Sequence, residues 1–321
     1  MKIIAIPRNG IGNRLQMLAS AYNLAKNLDA ELIILWTEQA IFKASFADIF
    51  EKFPPATVIE GSGVEKISNF DLPLFTNFNS EENRITLRNL RVGDQLFMPK
   101  LRNLLKYSNS DTEIWIESGE KFSLNEGRNF QDSPDFRSTR LDFYNQLVFN
   151  KKILQGYKSI SAETGPNYWA IHLRGTDRKS ESISNHEIIK KVKLRRDDLR
   201  SAGTKVFVAS DDAERGLDLA KSLIGEGYTV VFDRDKNRNR LSIEEAKESV
   251  VDWLGLVHAK IVVSFGGTTY SHEAVVAGNS FESRIYLGSS IQRQVIDKIR
   301  QEALFFKLYG KLPYTLIFTS R

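Results

Sequence analysis

The sequence predicts an α/β protein built from two Rossmann-like domains that face each other across a cleft. A chain of 321 residues with 41% hydrophobic content can bury two cores of ordinary size. Residues 1–40 show a pattern of strand, glycine loop, helix and strand, and strand and helix patterns alternate again from Asn167. This repeated order predicts parallel sheets with helices on both faces.

The first half of the chain opens on a short apolar stretch. Met1–Pro7 is too short for a signal-peptide core and predicts the first strand. A helix with a buried face follows, and Glu31–Trp36 predicts the next strand. The helix face comprises Leu15, Leu18, Tyr22, Ala25 and Leu28. Residues 112–116 also predict a strand, but the topology of about 42–150 has no assignable pattern.

The second half has a regular pattern. Strands are predicted at Tyr168–Leu173, Lys205–Ala209, Tyr228–Phe232 and Lys260–Ser264. Helices are predicted at Asn185–Arg200, Ala213–Ile224, Thr269–Ala277 and about Ile291–Tyr309. A further helix is predicted to begin at Ser242, with Glu245 as its capping-box partner. We therefore expect an acceptor-side domain at 1–155, a nucleotide-sugar-binding domain at 156–290 and a C-terminal helix within 291–321, with Gly165-Pro166 as a plausible linker.

Composition narrows the location and the partners. No segment approaches the roughly 20 apolar residues that span a bilayer, and the chain has no cysteine, so we expect a cytoplasmic protein. The net charge of +5 suits an anionic small molecule or a membrane surface. Basic clusters at 190–196 and 234–240 lack interleaved aromatic residues, which argues against nucleic acid as a partner. Peripheral association with the inner face of the membrane stays open as an alternative.

The loop after the first strand is the first candidate site. Ligands of open parallel sheets bind beyond the carboxyl ends of the strands. Gly10, Gly12 and Asn13 lie at such an end, where glycines let a backbone approach a ligand and a helix N-terminus supplies amide donors. The loop lacks the third glycine of the dinucleotide fingerprint and the lysine of a P-loop. A tight strand-helix turn explains the two glycines equally well.

The segment His172-Leu173-Arg174 is the second and most informative strand end. Alternation along a strand points His172 and Arg174 to the same side. A guanidinium offers a planar, permanently charged fork for phosphate oxygens, and a buried charge requires a partner. That partner is a ligand phosphate or an internal carboxylate, Asp177 or Asp211. His172 is a site residue or a hydrogen-bonded core histidine.

Two further strand ends carry polar residues. Asp211 and Asp212 follow the Lys205–Ala209 strand and can act as helix caps, metal ligands or partners of an arginine. The fourth end runs from Ser264 through Gly267 to Thr268 and Thr269, where hydroxyls and free amides at a helix N-terminus form a phosphate cradle or a simple cap. Together these ends describe a cleft that can hold a nucleotide diphosphate.

These motifs resemble the superfamily of α1,2-, α1,6- and protein O-fucosyltransferases, which includes bacterial nodulation fucosyltransferases. The family pattern His-x-Arg-Arg-x-Asp looks like residues 172–177, its Gly-x-Gly-Asn opening looks like residues 10–13, and its further motifs look like 210–212 and 252–268. The resemblance implies a GT-B-like fold, GDP-fucose as the donor substrate, inversion at the anomeric carbon, no cofactor and no required metal. It also implies a role in bacterial glycan biosynthesis.

The resemblance also implies residue roles. Arg174 would bind the β-phosphate, His172 and Asp252 would lie near the guanosine, and Ser264 or Thr268 near the phosphates. The expected donor-binding set is Gly10, Gly12, Asn13, His172, Arg174, Asp211, Asp252, Ser264, Gly267, Thr268 and Thr269. The expected catalytic set is Arg174, Glu181 as an acceptor base, and Asp177, which could instead orient Arg174. Many relatives have a second arginine where this chain has Gly175, so the donor could be another nucleotide sugar.

Two other classes of protein remain as alternatives. An oxidoreductase built on the glycine loop would need an acidic ribose partner after the second strand, and Glu38 lies somewhat far along the chain for that role. A catalytically silent nucleotide- or glycan-binding protein would bind GDP without transferring the sugar.

Overall fold

A computed structural model provides the structure of the chain. It describes residues 1–60, 77–79, 83–88, 101–103, 105–106, 108–122, 134–174, 183–232, 242–264 and 268–287. Within these ranges the chain forms two separate sheets and a short two-stranded ladder. Both larger sheets are flanked by helices, so the predicted α/β class is confirmed.

The first sheet comes from the first half of the chain. Its six strands have the order β4-β2-β1-β7-β6-β5, and each neighbouring pair is parallel except β5 and β6. They are β1 (Lys2–Pro7), β2 (Glu31–Trp36), β4 (Ala56–Glu60), β5 (Asn77–Asn79), β6 (Arg84–Arg88) and β7 (Glu113–Ser118). The strand predicted at 112–116 is therefore β7, which lies beside β1 at the centre of the sheet.

The second sheet comes from the second half and is parallel throughout. Its order is β11-β10-β9-β12-β13. The strands are β9 (Tyr168–Leu173), β10 (Lys205–Ser210), β11 (Thr229–Val231), β12 (Ile261–Ser264) and β13 (Arg284–Tyr286). This is the strand order of a Rossmann-like half, with β9 at its centre. The remaining ladder pairs β3 (Phe50–Lys52) with β8 (Val148–Phe149).

The helices connect and cover these strands. They are α1 (Ile11–Leu28), α2 (Phe46–Ile49), α3 (Pro134–Asn145), α4 (Lys151–Thr164), α5 (Asn185–Leu194), α6 (Arg196–Ala202), α7 (Ala213–Gly225), α8 (Ile243–Val257) and α9 (Thr269–Ala277). A short 3-10 helix at Phe281–Ser283 precedes β13. No helix among the described residues is both long and apolar enough to cross a membrane.

Most predicted elements of the second half are present, and one differs. The helix predicted at Asn185–Arg200 is two helices, α5 and α6, because the amide of Arg195 bonds to the carbonyl of Val192 in a tight turn, 3.1 Å. The buried residues Leu199 and Ala202 continue the helical spacing of α5, so periodicity alone does not reveal this break. The helix predicted at 291–309 lies outside the described residues. The predicted domain boundary after residue 155 falls inside α4, and the division into domains stays a prediction.

One continuous apolar core joins the two sheets. It contains Ile3 and Ala5 of β1 together with Tyr168 and Ala170 of β9. Helix α1 lies within this core, which is why nearly all its residues from Ile11 to Ala25 are buried rather than only one stripe. The alternate residues of β9 face the opposite side of the second sheet, where they pack with α5, α6 and α7.

A buried ion pair ties α3 to α9 inside this core. Arg140 and Glu273 are both fully buried, and the guanidinium donates to the carboxylate through Nη2. The hydroxyl of Tyr144 donates to the second oxygen of the same carboxylate. Burial, and then the charge of Glu273, raises the pKa of Tyr144 well above its usual value of 10, so this hydroxyl stays protonated. The carboxylate of Glu273 therefore accepts hydrogen bonds from two side chains of α3, Arg140 and Tyr144.

Removing Glu273 should strongly destabilise the protein. We expect Glu273→Ala to lower the free energy of unfolding by about 3 to 5 kcal/mol, because it leaves the buried Arg140 without its carboxylate. The matched control is Glu282→Ala, which removes the 90% exposed partner of Arg137, 3.1 Å away, and should cost less than about 1 kcal/mol. Urea denaturation of both variants checks this. Equal losses would show that the buried pair does not stabilise the core.

Candidate functional site

The N-termini of α1 and α9 meet between the two sheets. Helix α1 begins after Gly10, at the carboxyl end of β1, and α9 begins after Thr268, beyond the carboxyl end of β12. A Cβ atom on Gly12 would lie 2.7 Å from the Cα and 2.9 Å from the amide nitrogen of Tyr270. Only a residue without a side chain allows this approach. The role of Gly12 is therefore a close contact between two backbones of the protein.

This contact forms the floor of a first pocket, which we call the glycine pocket. It has a volume of about 430 Å³. Its lining residues are Gly10, Ile11, Gly12, Asn13, Phe42, His172, Arg174, Ser249, Thr269 and Tyr270. The first amides of a helix have no carbonyl partner within that helix and carry its positive dipole end. Two helix N-termini and the guanidinium of Arg174 thus surround one space, an arrangement suited to an anion.

A second pocket adjoins the first, and we call it the carboxylate pocket. It has a volume of about 350 Å³. Its lining residues are His172, Ala209, Ser210, Asp211, Glu245, Ser249, Asp252 and Tyr270. Three of these side chains bear carboxyl groups, so this end of the cleft is suited to hydrogen-bond donors. The two pockets share His172, Ser249 and Tyr270, and together they form one cleft of opposite polarity at its two ends.

Tyr270 and His172 form the wall between the two pockets. Their rings lie 4.8 Å apart with a 39° tilt, and His172 is 4% exposed. The hydroxyl of Tyr270 donates to the carbonyl of Ser249. The backbone carbonyl of Tyr270 accepts a hydrogen bond of 3.1 Å from Nε1 of Trp253. Tyr270 is thus fixed at both its backbone and its side chain.

The side chains of Gln39 and Arg14 hold the backbone of the loop before α1. Asn9 has a left-handed backbone, with φ of 68°. Its amide donates to Oε1 of Gln39 over 2.9 Å, and its carbonyl accepts from Nε of Arg14 over 2.8 Å. The guanidinium of the fully buried Arg14 lies over the rings of Trp36 and Phe42. Burial, followed by the nearby charge of Arg8, lowers the pKa of Arg14 to about 9.

The predicted residues divide into those that line the cleft and those that support it. Gly10, Gly12, Asn13, His172, Arg174, Asp211, Asp252 and Thr269 line one or both pockets. Ser264 and Thr268 line neither. The hydroxyl of Ser264 accepts from Nε of Arg284 at 2.8 Å, and the hydroxyl of Thr268 lies 2.6 Å from that of Ser271. Asp212 caps α7 through the amide of Arg215, 3.0 Å. Gly175, Asp177, Glu181 and Gly267 lie outside the described residues.

Sequence reasoning missed several lining residues. The most informative are Glu245 and Ser249, which share one face of α8 with Asp252 and point into the carboxylate pocket. Their spacing of four and then three residues is a polar stripe along a helix that is otherwise largely apolar. Such a stripe could have been found in the sequence, whereas the apolar residues Ile11 and Phe42 carry no comparable signal. Among the described residues, no group of His, Asp or Glu side chains is arranged to hold a metal ion.

Solved structures similar to this chain include fucosyltransferases. NodZ from Bradyrhizobium is 16% identical with a TM-score of 0.52, covering 85% of this chain and 91% of its own. A variant of Arabidopsis thaliana FUT1 in complex with GDP is 12% identical, with a TM-score of 0.62. The match covers 86% of this chain and 68% of the FUT1 chain. POFUT1 in complex with GDP-fucose is 13% identical, with a TM-score of 0.55. The match covers 89% of this chain and 98% of the POFUT1 chain.

This chain has the GT-B-like fold of the fucosyltransferases. The predicted fold and the predicted structural resemblance are therefore confirmed. A scan against protein-family models and a search of curated proteins find no match.

The contact at Gly12 leads to a stability prediction. We expect Gly12→Ala to lower the free energy of unfolding by about 1 to 3 kcal/mol, because the added methyl group overlaps backbone atoms that cannot rotate away. The matched control is Gly225→Ala, at the end of α7, where a Cβ atom would meet nothing within 4 Å. Thermal and urea denaturation measure both. If the two variants are equally stable, the helix N-termini are not in close contact.

His272 on α9 carries a second prediction, which concerns pH. Its Nδ1 lies 3.0 Å from Nη1 of Arg284, and its Nε2 lies 3.4 Å from Nζ of Lys121. Burial, followed by the positive charges of Lys121, Arg140 and Arg284, holds the pKa of His272 well below its usual 6.5. Below that pH the unfolded chain binds a proton that folded His272 does not. The free energy of unfolding should therefore fall as the pH falls below 6.5.

The measurement is urea denaturation between about pH 7 and about pH 5, where one such histidine contributes up to about 1.4 kcal/mol per pH unit. His272→Gln removes the proton site, keeps an acceptor for Arg284, and should flatten this dependence. His186→Gln, which replaces an exposed histidine, is the matched control. An unchanged slope in His272→Gln would contradict the prediction.

Proposed function

We propose that this protein is an inverting glycosyltransferase that transfers fucose from GDP-fucose to a glycan hydroxyl. The observation that carries the proposal is the cleft itself, in which two helix N-termini and Arg174 adjoin a pocket lined by carboxylates. Several neighbours in fold were solved with GDP or GDP-fucose, among them NodZ and POFUT1, which supports the choice of donor. The proposal includes a cytoplasmic protein that acts in bacterial glycan biosynthesis, with no cofactor and no required metal.

The glycine pocket suits the diphosphate of the donor. Phosphate oxygens accept hydrogen bonds from the free amides at the start of α1 and α9, and a guanidinium can bind two of these oxygens at once. Arg174 is a cationic side chain that lines this pocket, alongside Gly10, Asn13 and Thr269. A diphosphate placed here would contact both domains, because α1 follows the first sheet and α9 belongs to the second.

The carboxylate pocket suits the guanosine. Guanine presents two adjacent donors, the N1–H and the exocyclic amino group, and a carboxylate can accept both. Uracil presents a single N–H on the corresponding edge, so it matches this acceptor-rich pocket less well. Asp252 is 5% exposed and Asp211 is 9% exposed, so bonds to either would be shielded from water. Ribose hydroxyls are further donors for Glu245.

The chemistry follows from where charge develops. As the bond from fucose to the diphosphate breaks, negative charge grows on the β-phosphate, and fixed donors stabilise that charge without reorganising. Arg174 is the residue to which we assign the largest effect. A base must remove the proton of the acceptor hydroxyl. Glu181 stays the proposed base, and Asp177 stays the proposed orienting partner of Arg174. The acceptor binds on the first-domain side of the cleft.

Ligand binding tests this proposal. GDP should raise the melting temperature of the protein, and UDP or ADP should raise it less, because the carboxylate pocket favours guanine. Arg174→Ala should abolish the GDP shift, since an interaction of a charged group with phosphate is worth about 1.5 to 3 kcal/mol or more. Addition of EDTA should not change the shift. Release of GDP from GDP-fucose with a panel of glycan acceptors then measures transfer.

The matched control is Arg200→Ala, which removes an exposed arginine of α6 that lines neither pocket. It should keep the full GDP shift. If Arg174→Ala binds GDP as tightly as the wild type, the assignment of Arg174 to the diphosphate is wrong. If another nucleotide sugar raises the melting temperature more than GDP-fucose does, that sugar is the donor. If the protein binds GDP but transfers no sugar, it is a catalytically silent nucleotide-binding protein.

A further inference from the structure

Arg215 connects the two chain segments that border the Arg174 strand end. It lies in the first turn of α7, and its guanidinium reaches back across the edge of the second sheet. Nη1 donates to the carbonyl of Arg174 over 3.0 Å, and Nη2 donates to the carbonyl of Ile183. One planar side chain thus joins the end of β9 to Ile183, two residues before the start of α5.

The backbone of Arg215 is itself held by two side-chain hydrogen bonds. Its amide donates to Oδ1 of Asp212 over 3.0 Å, and its carbonyl accepts from Nδ2 of Asn185 over 3.2 Å. The next residue, Gly216, lies so close to the sheet that a Cβ atom would be 2.5 Å from the ring of Phe232 and 3.1 Å from Cβ of Ser210. The first turn of α7 therefore rests directly on the end of β10, and the guanidinium starts from a fixed point.

The charge of Arg215 also has partners near the cleft. The side chain is half-buried, and burial lowers the pKa of Arg215, whereas the carboxylates of Asp212 and Asp211 raise it. Asp211 lines the carboxylate pocket. The positive charge of Arg215 therefore offsets two adjacent negative charges that would otherwise repel an anion bound beside Arg174.

We infer that Arg215 is a positioning residue that holds Arg174 in the orientation required by the donor diphosphate. Arg215 lines neither pocket, so it acts through the carbonyl of Arg174 and not by contact with the ligand. A guanidinium suits this task because its separate N–H groups reach two carbonyls at once, whereas a lysine offers one point charge. The inference rests on the proposed function, since it concerns the same diphosphate.

The test compares GDP with guanosine, both measured by isothermal titration calorimetry on the full chain. In Arg215→Ala we expect the Kd for GDP to rise by about tenfold to a hundredfold, the range expected when a binding group is displaced by about 1 Å. The Kd for guanosine should stay within about twofold, because guanosine lacks the phosphates that Arg174 binds. A merely structural role of Arg215 would weaken both ligands alike.

Two further variants complete the experiment. Arg196→Ala is the matched control, because Arg196 also donates to a backbone carbonyl, that of Glu226 at 3.3 Å, but lines neither pocket. It should bind both ligands as the wild type does. Arg215→Lys keeps the charge and can reach one carbonyl, so it should give an intermediate Kd for GDP. Arg215→Lys also replaces Arg215→Ala as the test variant if Arg215→Ala does not fold.

The inference is overturned if Arg215→Ala binds GDP with the Kd of the wild type. It is also overturned if GDP and guanosine are weakened equally, or if Arg215→Lys binds GDP as tightly as the wild type. Failure of the proposed function has a different signature, because the wild-type protein itself would then not bind GDP, and the inference would fall with it.

Discussion

The close contact between the first turns of α1 and α9 is the constraint on which the rest of the structure depends. Because residue 12 has no side chain, the backbone of α1 reaches that of Tyr270, and two helix N-termini open onto one space. Without this contact, the free amides at the start of the two helices would not border one space. The buried pair of Arg140 and Glu273 holds the same helix α9 from its other side.

The cleft has opposite polarity at its two ends, and this separation determines what it can bind. Donors cluster around Arg174, and acceptors cluster around Asp211 and Asp252. The proposed donor GDP-fucose matches this separation, because its diphosphate is anionic and its guanosine is rich in N–H and O–H groups. Tyr270 stands between the two ends, fixed by Ser249 and Trp253. Arg215 lies behind the strand ends, where its guanidinium donates to the carbonyl of Arg174.

Residues at strand ends were the predictable part of the site. Gly10, His172, Arg174 and Asp211 follow or end buried strands, and the carboxyl ends of parallel strands share one edge of a sheet, so their convergence could be expected. Residues that reach the cleft from a helix face or through another residue were harder to predict. Glu245 was read only as a capping residue, which it is, yet it also lines the carboxylate pocket. Arg215 shows no pattern that separates it from other arginines of surface helices.

The sequence by itself determined the α/β class, the parallel second sheet and the cap residue Ser242, because periodicity and capping are local properties of neighbouring residues. It left the roles of Asp211 and Asp212 open, and the structure makes Asp212 the cap of α7. Only the tertiary structure decided the order of strands in the first sheet, where β7 lies beside β1 across a long stretch without a readable pattern. It also decided the role of Gly12, which the sequence suggested for approach to a ligand and which the fold uses against Tyr270. Such contacts join residues far apart in the chain, and their distances follow from packing rather than from local spacing.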